Sequence, residues 1–125
     1  MCRRCGRIRI TPTLCAWCLA YDLEKRIRDY SHDRAEHAWM LILSHLPESC
    51  CAVSGLTRDE LARIGDRLTV DRIDNDRGYT RGNMQLLAGS LNREKWMFDR
   101  YYLPGAMQAL GGSVVRMRQE LDGAS

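Results

Sequence analysis

Apolar residues recur every three or four positions between residues 19 and 46, which is the spacing of one face of an α-helix. Ser31-His32-Asp33 is predicted to interrupt this helical region, and Pro47 is predicted to end it because proline cannot continue a helix. The side chains predicted to face inward are Leu19, Leu23, Ile27 and Tyr30 before the interruption, and Ala35, Ala38, Trp39, Ile42 and Leu46 after it.

A different pattern begins at Leu68, where Leu68 and Val70 alternate with polar residues up to Asp71-Arg72 and predict a β-strand. A turn rich in Gly, Asp and Asn follows, in which Gly78 and Gly82 allow the chain to reverse. A second apolar run covers residues 84–87 and predicts a second strand. The order continues with a helix from Leu91 to about residue 102, for which Ser90 is the expected N-cap. Trp96 on this helix is expected to pack in the core, because aromatic residues at helical spacing usually do.

Two further helices are predicted around this strand-turn-strand-helix segment. Residues 56–65 form the first, with Thr57 as its cap and Glu60 three residues later, as in a capping box. Residues 106–121 form the second, with Val114, Val115 and Leu121 as apolar anchors. The predicted fold is therefore α+β and mostly helical.

The length of 125 residues fits one compact domain with a small appendage. We divide it into a cysteine-rich element at 1–18, the helical region at 19–46, the strand-containing core at 47–103 and a C-terminal helix and tail at 104–125. No apolar run approaches the roughly 20 residues of a membrane span. The N-terminus lacks the pattern of an export signal, so we expect a cytoplasmic protein with no membrane partner.

The first four cysteines form two Cys-x-x-Cys pairs, Cys2 with Cys5 and Cys15 with Cys18. Four thiolates at this spacing suit the tetrahedral coordination of structural zinc. A short hairpin is expected between the pairs, with Gly6 at the tight turn. Disulfides are the alternative, and a reducing cytosol disfavours them. Cys50 and Cys51 are adjacent and have no second pair; Cys51 is predicted to be buried in the turn before Gly55.

The basic residues point weakly to nucleic acid. The net charge is only +3, but 17 of the 19 basic residues are arginine. The first ten residues contain no acid and four arginines, Arg3, Arg4, Arg7 and Arg9. The guanidinium fork matches phosphate oxygens and stacks on bases. A genome rich in arginine codons would give the same composition, so charge alone leaves both explanations open.

Residues 71–95 resemble the HNH (His-Asn-His) nuclease superfamily, in a phage and bacterial branch that reads roughly DRID…GYT.GN…N..K. The resemblance extends over about residues 50–100, and the spacing from Asn83 to Asn92 and Lys95 is also similar to the HNH domain of the RNA-guided CRISPR nuclease. It implies a ββα unit that presents one divalent cation, Mg²⁺ or Mn²⁺, to a phosphate. The implied partner is nucleic acid, with DNA favoured over RNA, in a bacterial host cell if a phage encodes the chain.

The resemblance also assigns roles by position. Asp71 and Asn92 would be metal ligands, Asn83 would pin the loop through bonds to the backbone, and Lys95 would contact phosphate. Arg72 stands where active relatives have the general-base His, and arginine does not give up its proton. Asp74 is a candidate replacement base or second metal oxygen, although ordinary turn chemistry also accounts for it.

Two functions follow from the departure at Arg72. The first is a metal-dependent endonuclease or nickase. The second is a degenerate HNH fold that binds nucleic acid, or a host or phage protein, without cutting. A zinc-stabilised adaptor with no nucleic-acid partner is a third reading. His32, His37 and His45 lie outside the motif and are predicted to have surface or packing roles.

Overall fold

The computed structural model describes residues 1–25, 31–100 and 106–124. These ranges contain five helices and one two-stranded antiparallel sheet, which agrees with the predicted α+β class. None of the described helices has the length and apolar character needed to cross a membrane. The elements in chain order are α1 (Ala16–Glu24), α2 (Arg34–Leu43), α3 (Arg58–Arg63), β1 (Leu68–Arg72), β2 (Met84–Ala88), α4 (Gly89–Arg100) and α5 (Ala106–Gly123).

The sheet and α4 together form a β1-β2-α4 unit. Leu68 pairs with Ala88 and Arg72 pairs with Met84, so the two predicted strands are confirmed. Thr69 and Asp71 share one face of β1 because side chains alternate along a strand. Both receive contacts from α4, which therefore covers this face. The main core lies around this unit; its buried residues are Cys51, Leu56, Leu61, Leu68, Leu87, Ala88, Leu91, Leu110, Met117 and Leu121.

A second apolar cluster joins α1 and α2 through small residues. Ala16, Ala20, Ala38 and Leu41 are buried there, with Val70 of β1 packed against them. The predicted inward positions in and after α2 are partly wrong. Trp39 is 54% exposed, Ile42 and Leu46 are each 37% exposed, and Ala35 is exposed as well. Alanines let the two helices approach closely, which leaves the bulky side chains outside the contact. Two other predicted positions, 27 and 30, lie outside the described residues.

The predicted starts of α2 and α3 are correct, whereas α2 ends at Leu43, before the end predicted at Pro47. Asp33 follows the expected interruption and caps α2, where its side chain accepts a hydrogen bond from the Glu36 N–H. Thr57 and Glu60 form the predicted capping box of α3, with each side chain bonded to the other residue's backbone N–H. These caps satisfy N–H groups that a helix start leaves without partners.

The predicted cap of α4 is wrong. The helix begins at Gly89, so Ser90 lies in its first turn. Asp66 takes over the capping role across 24 positions of sequence: its carboxylate accepts hydrogen bonds from the Ser90 N–H at 3.3 Å and from Ser90 Oγ at 2.6 Å. Because this acceptor comes from a distant loop, the local sequence pattern does not reveal it. The predicted end of the helix, at about residue 102, lies outside the described residues.

The position predicted for the last helix is confirmed, and its predicted apolar anchors are only partly correct. Leu121 is buried, and Val114 packs against the main core. Val115 is 57% exposed, so its assignment as an anchor is wrong. Leu110 and Met117 fill that role instead, at spacings of seven and four residues that place them with Leu121 on one helical face.

Candidate functional site

The first four cysteines come together as the spacing predicts. The Sγ atoms of Cys2, Cys5, Cys15 and Cys18 all lie within 4.8 Å of one another, and those of Cys5 and Cys15 are 3.4 Å apart. In a tetrahedral site with Zn–S bonds of about 2.3 Å, the sulfurs are about 3.8 Å apart. Three of the four side chains are buried, and Cys5 is exposed. The cluster can therefore hold a metal ion, and its donor set suits zinc.

The local backbone explains how the two pairs meet. The Gly6 N–H donates to the Cys2 carbonyl at 3.0 Å, and Gly6 has a φ of +78°, which only glycine adopts without strain. The second pair sits on the start of α1, with Cys15 as the N-cap residue and Cys18 in the first turn. The helix thus begins before residue 19, inside the predicted cysteine element. The expected hairpin is reduced to one bridge between Arg9 and Cys15.

The thiols of the cluster differ in acidity. Burial raises the pKa of Cys18 to about 12, and hydrogen bonding with the neighbouring thiols adds to this effect. Burial also raises the pKa of Cys2, but hydrogen bonds from the backbone of Cys15, Arg4 and Cys5 outweigh it and lower the value to about 6. Four thiolates in this space require a cation among them, since like charges at this separation repel.

A buried carboxylate lies at the centre of the β1-β2-α4 unit. Asp71 is 5% exposed, and its Oδ2 accepts a hydrogen bond from Gln85 Nε2 at 2.9 Å. Lys95 Nζ lies 3.5 Å from the same oxygen. The ammonium also donates to the Arg72 carbonyl at 3.0 Å and to Asn75 Oδ1 at 3.3 Å. Lys95 thus places its positive charge beside Asp71. It is also the residue for which a phosphate contact is predicted.

Asn92 reaches the same region from α4. Its Nδ2 donates to Thr69 Oγ1 at 3.0 Å, which leaves Oδ1 as the acceptor atom of this amide. Asp71 and Asn92 line one cavity of about 130 Å³. The other lining residues are Val70, Arg72, Asn75, Tyr79 and Trp96. The structure therefore brings the two residues predicted to bind a cation to a single small cavity.

Asn83 fastens the loop between the strands. Its side chain is 1% exposed and makes three hydrogen bonds to the backbone. Oδ1 accepts from the Asp74 N–H at 2.9 Å, while Nδ2 donates to the carbonyls of Asp74 at 3.1 Å and Gly78 at 2.8 Å. These are the loop-pinning contacts that the resemblance implies for this residue.

Arg72 and Asp74 both form hydrogen bonds to the backbone of the loop between the strands. The Arg72 guanidinium donates to the carbonyls of Asn75 and Arg77, each at 3.2 Å, and lies 5.6 Å from the centre of the Tyr79 ring. Asp74 is exposed and accepts a hydrogen bond from the Asp76 N–H at 2.9 Å. It does not line the cavity of Asp71 and Asn92. Turn chemistry therefore accounts for Asp74, and its placement does not favour a catalytic role.

His37 is a packing residue. It is fully buried, and its ring stacks on Tyr79 with the centroids 3.9 Å apart and the planes at 8°. His37 Nδ1 and His32 Nε2 are hydrogen-bonded at 2.7 Å. Burial lowers the pKa of His37 to about 4, and the charge of His32 contributes. No histidine is found among the described residues that line the Asp71 cavity.

Several residues of the site are missing from the sequence prediction. Gln85 is one, and the strand pairing places it directly opposite Asp71, so an exact hairpin register would have identified it. Asn75 and Trp96 are others; Trp96 was expected in the core and is 52% exposed. Cys51 is buried as predicted, and its sulfur accepts hydrogen bonds from the N–H groups of Ser54 and Ala88.

Comparisons of this chain with models of known families, with curated proteins and with solved structures find no match. A functional assignment must therefore come from the residues of the two sites and their geometry.

Proposed function

We propose that the chain is an HNH-like protein that binds nucleic acid and hydrolyses its phosphodiester bonds with the help of one divalent cation. The observation that carries this proposal is the shared cavity of Asp71 and Asn92 on a β1-β2-α4 unit. These two residues come from different elements and each carries an oxygen donor, and Arg72 and Lys95 lie next to them with positive charges. A phosphate would meet both a cation site and two basic side chains at this place.

The donor set fits a hard cation. Mg²⁺ and Mn²⁺ prefer oxygen ligands, and Mg²⁺ is commonly held by one or two carboxylates together with waters and substrate phosphates. Asp71 would supply a carboxylate oxygen, and Asn92 would supply Oδ1 because its Nδ2 is engaged by Thr69. Such a cation supplies stabilisation of the negative charge that develops on the phosphate oxygens and on the leaving oxygen.

The remaining residues neutralise negative charge and hold the side chains of the site in position. Lys95 Nζ lies 3.5 Å from Asp71 Oδ2 and would turn to a phosphate oxygen when a cation occupies its place beside the carboxylate. Gln85 donates to Asp71 and fixes the orientation of the carboxylate. Asn83 holds the loop that carries Asn75 at the cavity, directly after Arg72 at the end of β1.

The proposed enzyme is slow. Arginine at position 72 cannot accept a proton, and the described lining of the cavity contains no histidine. Removing a general base typically lowers a rate by about 10²–10⁴-fold. Residual cleavage then rests on charge stabilisation and on activation of water by solvent.

A second function is favoured by one observation, the Lys95 ammonium beside Asp71. If this ammonium stays in place when nucleic acid binds, it neutralises the carboxylate and no divalent cation is needed. The protein would then bind nucleic acid, or a host or phage protein, without cutting.

Cleavage assays separate the two functions. Supercoiled plasmid and a single-stranded oligonucleotide are incubated with Mg²⁺ or Mn²⁺ and with zinc-loaded wild type, Asp71→Ala or Asn92→Ala. Asp74→Ala is the matched control, because this nearby acid does not line the cavity. We expect metal-dependent cleavage that the first two substitutions abolish and the control retains. Binding without cleavage at any metal concentration would favour the second function.

A further inference from the structure

A second groove adjoins the Asp71 cavity and is lined by residues of α4 and of the start of β1. It has a volume of about 490 Å³, within the range of small-ligand pockets. Its lining residues are Arg67, Thr69, Gly89, Asn92, Arg93 and Trp96. Asn92 and Trp96 line both spaces, so the groove continues directly from the candidate cleavage site.

The groove combines an aromatic face with two cationic groups. Trp96 follows Asn92 by four residues and Arg93 by three on α4, so its side chain is a neighbour of both on the helix surface. Arg67 enters from the loop before β1, close to Gly89. Within the described ranges, neither Arg67 nor Arg93 forms an ion pair with a carboxylate. Both guanidinium groups are thus available to an anionic ligand.

We infer that this groove binds an unpaired nucleotide next to the scissile phosphate, with its base stacked on Trp96 and its phosphates held by Arg67 and Arg93. This inference rests on the proposed function, because it assigns a substrate to the same site. The groove matches a nucleotide in shape and in charge. The indole can stack on the flat base, and the two arginines can bind the phosphates. Aromatic side chains and arginines are the groups that single-stranded nucleic acids bind.

The nucleotide must be unpaired for a geometric reason. In a continuous duplex, both faces of each base are covered by its neighbours, so an indole gains access only where a base has left the stack. Trp96 is 52% exposed and stands at the boundary of two grooves, where it can cover one face of such a base. The substrate class is therefore a single strand, a strand end with unpaired nucleotides or a duplex with an unpaired nucleotide.

Binding measurements test the inference. Fluorescence anisotropy is recorded without added Mg²⁺ or Mn²⁺ for three labelled DNAs of one sequence: a single strand, a perfect duplex and a duplex with one unpaired nucleotide. The proteins are wild type, Trp96→Ala, Trp96→Phe, Arg93→Ala and Trp39→Ala, and each is measured at several salt concentrations. Trp39 is the matched control, because it is 54% exposed on α2 and lines neither groove.

We expect wild type to prefer the single strand and the interrupted duplex over the perfect duplex. Trp96→Ala should weaken those two by about 10-fold, a typical effect of losing one stacked base, with the perfect duplex unchanged. Trp96→Phe should restore most of the affinity, and Trp39→Ala should have no effect. Arg93→Ala should lower the salt dependence by about one phosphate contact.

Two results would overturn the inference. One is equal affinity for all three DNAs; the other is a loss in Trp96→Ala that is the same for the perfect duplex, or the same in Trp39→Ala. If plasmid cleavage that depends on Asp71 persists in either case, the proposed function stands without the unpaired-nucleotide groove. If Trp96-dependent binding is found and cleavage is absent, the groove stands and the nuclease does not.

Discussion

Replacing Asn83 with alanine should destabilise the protein strongly, because this one buried side chain makes three hydrogen bonds to the backbone. Asn83→Ala removes hydrogen bonds of 2.9, 3.1 and 2.8 Å to the backbone of Asp74 and Gly78. A hydrogen bond contributes about 1 kcal/mol net, so the free energy of unfolding should fall by about 3 kcal/mol. For a domain of this size, the melting temperature should fall by about 10 °C.

Urea unfolding of the zinc-loaded protein measures this change. Asn92→Ala is the matched control, since its side chain donates a single bond, to Thr69, and should cost about 1 kcal/mol. The dependence of free energy on urea should stay the same in both variants, because neither changes the surface exposed on unfolding. If Asn83→Ala is no less stable than Asn92→Ala, the side chain of Asn83 does not hold the loop.

Three further predictions concern the zinc cluster, the buried imidazole and the position of the missing base. Elemental analysis of the purified protein should find one zinc per chain and much less in Cys18→Ser; a folded, reduced wild type without zinc would contradict the cluster's assignment. The pKa of His37 is about 4 in the folded chain, against an ordinary value of 6.5. Between these pH values the imidazole is protonated in the unfolded chain and neutral in the folded chain. Stability should therefore fall as pH drops from about 6.5 to 4, by up to about 3 kcal/mol, and His37→Phe should remove this slope in urea unfolding. Arg72→His should raise plasmid cleavage by about 10-fold or more by restoring a proton acceptor, whereas an unchanged rate would show that position 72 does not face the attacking water.

The features predicted correctly from the sequence depend on residues close together in the chain. The capping box of Thr57 and Glu60 needs only one helical turn, and the two Cys-x-x-Cys pairs need only two short loops. The strand-turn-strand order is also local, since Asn83 closes a loop of about ten residues. Spacing alone fixes such contacts, because a short chain segment has few ways to satisfy its polar groups.

The features that were wrong depend on packing between distant segments. Ser90 has the composition of a helix cap, yet Asp66 from another loop caps this helix. Trp96 and Trp39 have the spacing of core residues, yet both are exposed, because leucines and alanines fill the two apolar clusters. The ion pair of Lys95 with Asp71 was not predicted, because it joins two separate elements, α4 and β1. Periodicity gives the faces of a helix and not which face the rest of the chain covers.

Diffraction near the manganese absorption edge tests the central claim most directly. Crystals of the zinc-loaded protein are grown with Mn²⁺ and an oligonucleotide, and the anomalous peaks of zinc and manganese are separated by wavelength. We expect a manganese peak between Asp71 and Asn92, with Lys95 moved from the carboxylate to a phosphate oxygen. Nucleic acid bound over Asp71 with no manganese peak, and with Lys95 still beside the carboxylate, would contradict a metal-dependent site.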